Sequence, residues 1–342
     1  MPHDVTTGWD LGGAHLKAAQ AQAGGRLVTA LQIPCRLWLG IEEFARSLGE
    51  ARTRLLPTRR HGVTMTGELV DLFADRAEGV ARLSQAMIAT FPEDDIRFYA
   101  GGRGFAAADD WRSVASANWH ASARFVAARC GSALFMDVGS TTTDIIPIRE
   151  GRVDAVGYTD DERLASEELV YTGVTRTPVM AVADSVPFGG MRQRLMAEYF
   201  STMADVHRLT GELPDDADQL PTADGRGKTV EDSARRLARM LGRDLSSGSP
   251  EDWRQLAIHL AERQRQMLHA AIDRISSRGG FGDEAPIVGA GIGRFLVKEL
   301  ARRLCRPYLD FADLIEGEPP TREWAARCAP AASVAILAAD SW

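Results

Sequence analysis

The chain has 342 residues, 45% hydrophobic and 25% charged, with a formal charge of −7. That composition belongs to an ordinary globular protein long enough for two cored domains, and its acidity argues against nucleic acid or an anionic membrane as main partner. The apolar runs fall short of the roughly 18 residues of a membrane span, and His3, Asp4 and Asp10 interrupt any leader-like start. Four cysteines without Cys-x-x-Cys spacing are expected to be reduced thiols in a cytoplasmic protein.

In chain order, residues 5–9 read as a strand, Asp10-Leu11-Gly12-Gly13 as a tight turn, and 16–21 and 27–33 as further strands. Ile41, Phe44, Leu48 and Leu55 mark an amphipathic helix, and 62–67 is a fourth strand ending in Thr66-Gly67-Glu68. A helix over 77–91, a strand over 96–99 and a long Ala-rich helix over 111–129 follow. This β-β-β-α-β-α-β-α order is similar to an RNase H-like lobe, placed at 1–130, with a C-terminal helix near 330–342 expected to pack back on it.

Residues 133–136 form an apolar strand that breaks at Asp137-Val138-Gly139 into Ser140, Thr141, Thr142 and Thr143, and an extended run resumes at 145–148. The result is a hairpin whose tip carries a carboxylate, a glycine and hydroxyls. Gly139 allows close ligand approach, and the turn amides with the hydroxyls suit phosphate. Asp137 and Asp144 could hold a divalent cation, directly or through water. The turn at Asp10 has the same make-up. A second lobe, 131–329, carries an insertion near 188–250. Within it, 191–209 reads as a helix placing Glu198 and Asp205 on one face, 211–228 as an irregular polar loop, and 230–241 and 251–276 as helices. A strand over 286–288 then ends in Gly289-Ala290-Gly291-Ile292-Gly293 before a helix over 295–304, an arrangement that offers amides to an anion. That glycine turn alone also describes Rossmann units, but the sequence pattern shows no βαβ unit around the acidic Asp310 that such a fingerprint would need.

Two Asp-x-Gly hairpins followed by a late glycine turn resemble the actin/hexokinase/Hsp70 (ASKHA) superfamily. The resemblance implies an α/β fold of two RNase H-like lobes, with mixed sheets flanked by helices and a central cleft for a phosphate-bearing ligand. The run 137–148, Asp-Val-Gly-Ser-Thr-Thr-Thr-Asp-Ile-Ile-Pro-Ile, resembles the hydantoinase/oxoprolinase group. Three middle segments, 198–206, 222–228 and 236–239, are similar to one branch of it, the furanyl-methanamine synthases of methanofuran and methylofuran biosynthesis in tetrahydromethanopterin-linked one-carbon metabolism. That branch implies a transferase. It joins an aminomethyl-furanmethyl diphosphate to the phenol oxygen of a tyrosine or tyramine unit and releases diphosphate, with Mg2+ expected and ATP not required. ATP-using relatives place Thr or Ser after the first turn, where this chain has Ala14 and His15.

On that reading Asp10, Asp137 and Asp144 are the metal candidates, and Lys17 and His15 face the diphosphate if β-alternation is unbroken. Gly12, Gly13, Gly139, Ser140, Thr141, Thr142, Gly289, Gly291 and Gly293 form the phosphate turns. Glu198 is the candidate base. Glu68, Asp205, Asp224, Arg226, Lys228 and Arg239 are substrate candidates: Glu68 for substrate or metal, Asp205 as base or for the amine, and Asp224, Arg226 and Lys228 for a carboxylate or the diphosphate. Each has a plainer explanation: the aspartates as turn formers, Glu198 and Asp205 as a solvated helix face, and Arg235, Arg236 and Arg239 as a basic surface stripe. The histidines lack metal spacing, and Trp9 reads as core. The competing functions are an ATP-dependent kinase or amidohydrolase, and a non-catalytic nucleotide-binding protein. A homodimer is compatible with all three.

Overall fold

The computed structural model describes residues 5–279, 282 and 284–341; His3 and Asp4 lie outside them, as does Trp342 at the end of the expected C-terminal helix. In chain order the strands and helices are β1 (Val5–Leu11), β2 (His15–Gln22), β3 (Leu27–Pro34), α1 (Ile41–Arg54), β4 (Arg60–Met65), α2 (Arg76–Thr90), β5 (Asp95–Tyr99), β6 (Phe105–Ala106), α3 (Trp111–Val114) and α4 (Asn118–Ala127). There follow β7 (Ala133–Val138), β8 (Thr143–Arg149), β9 (Arg152–Val153), α5 (Asp160–Ser166), β10 (Leu169–Val170), β11 (Ser185–Phe188), β12 (Met191–Arg194), α6 (Met203–Thr210), α7 (Val230–Met240) and α8 (Pro250–Ser276). Last come β13 (Ile287–Ala290), α9 (Arg294–Arg303), β14 (Tyr308–Asp310), α10 (Pro319–Arg327) and α11 (Ala329–Ala339). The architecture is mixed α/β. No helix among the described residues is long and apolar enough to cross a membrane.

The chain divides into two compact units. Unit 1 takes Met1–Phe135, Ile146–Ala155 and Leu309–Trp342, and unit 2 takes Met136–Ile145 and Val156–Tyr308. In unit 1 the sheet order is β3-β2-β1-β4-β5-β6, with β1 antiparallel to β2 and parallel to β4. Alternation gives that sheet two buried faces. Trp9, Leu11, Val63, Met65 and Phe98 pack with Phe44 and Leu48 of α1 and Val80, Leu83 and Met87 of α2. The opposite face is covered by α11, which comes so close that a Cβ at Gly8 would overlap the backbone of Ala331 and Ala335. α11 is apolar all round, as a helix buried on every side must be.

A second sheet has the order β10-β8-β7-β13-β14, with β9 on β8, and β11–β12 is a separate hairpin. In unit 2 the helices α6, α7 and α8 pack through Val206, Leu237, Trp253, Leu256 and Leu260 over Val186 and Phe188 of β11.

Two expected helices differ, and so does the setting of Asp310, which ends β14 beside β13 with α9 between them in the chain, a strand–helix–strand unit that the sequence reading did not find. The helix read over 111–129 is split into α3 and α4 at Ser116, whose φ of 50° leaves the helical region. The helix read over 191–209 is a hairpin strand, then an irregular run, then α6, which starts at Met203 behind a capping box formed by Thr202 and Asp205. Leu195, Tyr199, Met203 and Val206 keep helical spacing across a segment that is only half helical, so the period misled.

Candidate functional site

In unit 1 the site candidate is built at the β1–β2 turn. Register places Asp10 opposite Lys17 on one side and Thr64 on the other, so all three share a face of the sheet. Asp10 is buried, and Lys17 Nζ lies 3.3 Å from its Oδ2. The Thr64 hydroxyl is fully buried and makes no hydrogen bond among the described residues. A buried hydroxyl beside a carboxylate is an oxygen donor set of the kind a hard cation prefers. The pairing of β2 runs unshifted from His15 to Gln20 and bulges only at Gln20/Ala21, so His15 and Lys17 lie on the same face. His15 and Ala14 are both buried. The turn is closed by its own backbone: Gly12 N–H donates to Asp10 O, and Thr66 and Gly67 N–H donate to Leu11 O. Glu68, just beyond, is buried and accepts from Ser116 Oγ at 2.7 Å.

In unit 2 the second turn is held from two sides. Gly139 N–H donates back to Thr142 O, so this amide closes the turn and is not a free donor in the expected nest. From the segment after β10, Val174 N–H donates to Gly139 O, and Thr175 and Arg176 N–H donate to Ser140 O. Arg176 Nη1 then lies 3.3 Å from Thr141 Oγ1. The late glycine turn meets the same place: Gly293 N–H donates to Val138 O at 2.9 Å. Gly291, at φ 83°, sits where a Cβ would overlap Val138 O and Asp137 Oδ1. Gly139, Ser140, Thr141, Asp137 and Gly291 are thus brought together, whereas Gly289 packs under the Tyr308 ring. Asp144 is differently engaged. Its Oδ1 accepts from Arg163 Nη2 at 2.6 Å, and Arg163 is itself only 2% exposed. A cation there would have to share that carboxylate. Among the described residues no three His, Cys, Asp or Glu side chains cluster closely enough to hold a metal, so any Mg2+ would complete its shell with hydroxyl, water or substrate oxygens.

The middle motifs turn out to be largely architectural. Asp205 does not share a helix face with Glu198: it is buried at the start of α6, while Glu198 is exposed on the irregular run before it. Asp205 takes Arg236 Nε and Nη2 at 2.6 to 3.0 Å, and Arg236 Nη1 reaches Asp224 Oδ1 at 3.1 Å and Gly227 O at 3.0 Å. Burial opposes ionisation of Asp224, but the Arg226 amide and the Arg236 guanidinium outweigh it and hold the carboxyl below its usual range. Arg208 and Lys228 both pair with Asp218, and Arg239 Nη1 lies 3.5 Å from Asp224 Oδ2. The 211–228 loop is therefore pinned to α6 and α7 by the half-buried Arg208 and the buried Arg236 guanidinium groups. Arg236, expected in a surface stripe, is fully buried. Arg226 points its charge to solvent.

The sequence reading missed Thr64 and Arg176. Thr64 had a signal, since strand pairing fixes its position once Asp10 is located; Arg176 had none, because its place depends on a turn 35 residues earlier. His207, treated as structural, is buried and bonded to Gln264 Oε1 at 2.7 Å.

A family model described as hydantoinase/oxoprolinase matches residues 59–307. A (4-{4-[2-(gamma-L-glutamylamino)ethyl]phenoxymethyl}furan-2-yl)methanamine synthase of Methanocaldococcus jannaschii is 29% identical over 296 residues, 85% of this chain and 87% of its own. A synthase of the same name from Methanococcus vannielii is 28% identical over 173 residues, 51% of this chain and 76% of its own. Among solved structures, the ethanolamine utilization protein EutJ of Carboxydothermus hydrogenoformans superposes with a TM-score of 0.50 at 12% identity, covering 98% of this chain and 91% of that one. The matched residues run from β4 through α9 and include the Asp137 turn and the glycine turn packed against it, and on that footing the chain belongs to the hydantoinase/oxoprolinase family.

Proposed function

We propose that the protein is a transferase of methanofuran-type cofactor biosynthesis that joins a furanmethyl diphosphate to a phenol and releases diphosphate. The observation that carries this is the likeness, over 85% of the chain, to a synthase whose named product holds a phenoxymethyl-furan ether. In the reaction the carbon–oxygen bond between the furan methylene and diphosphate breaks, the phenol oxygen bonds to that carbon, and the phenolic proton leaves to solvent. Because the furan ring stabilises the methylene cation, the main demand on the protein is to hold the departing diphosphate.

The residues support that division of labour. Lys17 brings a cation to the Asp10 turn, and Arg176 brings one to the Ser140–Thr141 turn. Charge-assisted bonds from these groups strengthen as charge builds on the leaving oxygen. Asp10 with the Thr64 hydroxyl fits a Mg2+ ion in unit 1, and Asp137 fits one in unit 2. Bound there, Mg2+ would neutralise phosphate charge as a Lewis acid. Buried Ala14 and His15 in place of hydroxyl residues support a reaction without ATP.

The test is to mix protein and Mg2+ with aminomethyl-furanmethyl diphosphate and a phenolic amine, without ATP, and to assay aryl ether by mass spectrometry and diphosphate by a coupled reaction. Ether and diphosphate in equal amounts are expected. ATP hydrolysis without ether would replace this reading with an ATP-dependent one.

A further inference from the structure

At the C-terminal end of α7, Arg235, Arg239, Arg243, Asp244, Leu245 and Ser246 line a pocket of about 450 Å³ within unit 2. Arg235 and Arg239 are four residues apart and share a face of α7, whereas Arg243 lies beyond the helix end, after Gly242 at φ 65°, and is brought beside them by that turn. Their charges are not equally available. Arg235 is held by Glu231 at 2.8 Å and Asp232 at 2.6 Å. Arg239 shares Asp224 with the closer Arg236. Among the described residues no carboxylate pairs with Arg243. Its guanidinium is instead fixed from two sides, Nε donating to Gln193 Oε1 at 3.1 Å and the plane lying 5.3 Å from the Phe188 ring, which stacks on Trp253. Gln193 is itself anchored through Nε2 to Leu241 O. Next to it in sequence, the Asp244 carboxylate is exposed and makes no ion pair among the described residues, not even with Arg243.

The pocket thus presents one preorganised, uncompensated cation and one uncompensated anion, with the remaining charges nearly cancelled. A dianion such as diphosphate gains from Arg243 but is repelled by Asp244. A zwitterion satisfies both: its carboxylate accepts from Arg243 and Arg239, and its ammonium donates to Asp244. We infer that this pocket binds an α-amino-acid head group, and that it is the place where a phenolic acceptor carrying a γ-linked glutamyl residue is recognised. The identification of the occupant rests on the proposed function; the charge pattern of the pocket does not.

The probes are 4-[2-(γ-L-glutamylamino)ethyl]phenol and the same phenol with an N-acetyl group in place of the glutamyl, titrated calorimetrically into the full chain. The wild type is expected to bind the glutamylated phenol tighter by roughly tenfold to a hundredfold. Arg243→Gln and Asp244→Asn should each remove most of that preference while leaving the acetylated phenol unchanged, and Arg243→Lys should restore part of it. Asp244 is exposed, so its variant tests the pocket even if loss of the Arg243 stacking disturbs folding. Equal binding of the two phenols by the wild type, or a preference that survives both variants, would overturn the inference, as would tight pyrophosphate binding that Arg243→Gln abolishes. Turnover is read separately: a wild type that makes no ether yet keeps the Arg243-dependent preference sinks the transferase reading and leaves the head-group pocket standing.

Discussion

Arg236 grips Asp205 with two nitrogens, Nε reaching both carboxylate oxygens at 2.9 and 3.0 Å and Nη2 reaching Oδ1 at 2.6 Å, while its third nitrogen holds Asp224. Neither Arg236 nor Asp205 is exposed to water. Removing one partner leaves the other charge buried, which costs about 3–5 kcal/mol. Arg236→Gln is therefore expected to lower unfolding free energy in urea by that amount and to loosen the 211–228 loop to proteolysis. Glu198→Gln, at an exposed site, should leave stability unchanged within about 0.5 kcal/mol.

Asp10→Asn removes the buried carboxylate beside Lys17 and Thr64. Ether formation should fall by about two to three orders of magnitude, the scale of losing one preorganised charge-stabilising group. A kcat within threefold of the wild type would remove Asp10 from the reaction.

Arg176→Gln should raise KM for the furanmethyl diphosphate by about tenfold or more, since it deletes a charged donor beside Thr141. The fold should survive, because the bond from Arg176 to Ser140 is made by its backbone amide. An unchanged KM would mean that this turn does not meet the leaving group.

Gly291→Ala forces a side chain into a backbone at φ 83° and against Val138 O and Asp137 Oδ1. The backbone conformation alone costs about 1–3 kcal/mol. Lower thermal stability is expected together with loss of activity, because the displaced atom belongs to Asp137; full activity would show that Asp137 can move freely.

His120 accepts or shares a proton with the Tyr99 hydroxyl at 2.9 Å, and burial drives its pKa down to about 4 from the usual 6.5 while pushing Tyr99 up to about 12. Between pH 6.5 and 4 the unfolded chain binds a proton that the folded one refuses, so stability falls as pH falls through that window, by about 3 kcal/mol from His120, and levels off below it. His120→Gln should flatten the slope in urea titrations from pH 7 to 4. A slope equal to that of the wild type would show that His120 is not the group responsible.

Much of the fold could be read in advance because it rests on local signals. Asp10-Leu11-Gly12-Gly13 and Asp137-Val138-Gly139 announce their turns, and α7 and α8 carry strong caps at Thr229 and Ser249. The misreadings share a cause: the decisive partner is far along the chain. The apolar spacing over 191–209 mimicked a helix because Leu195 packs on the core of α6, α7 and α8 from a non-helical backbone. Arg236 resembled its neighbours Arg235 and Arg239 until Asp205, 31 residues away, took it inside. At the site, strand register gave the company of Asp10, but nothing short-range could announce that Arg163 would engage Asp144.

α11 lies against β1, β2 and β4 in unit 1, and the close approach at Gly8 leaves no room for another element there. The order of synthesis therefore matters. As the chain leaves the ribosome, the sheet bearing Asp10 is made first but keeps the face of Gly8, Ala19 and Gly62 bare until the whole of unit 2 and then α11 have been translated. Unit 2 can mature while unit 1 waits, so a ribosome stalled before α11 should hold a nascent chain whose early half is the part that chaperones must shield.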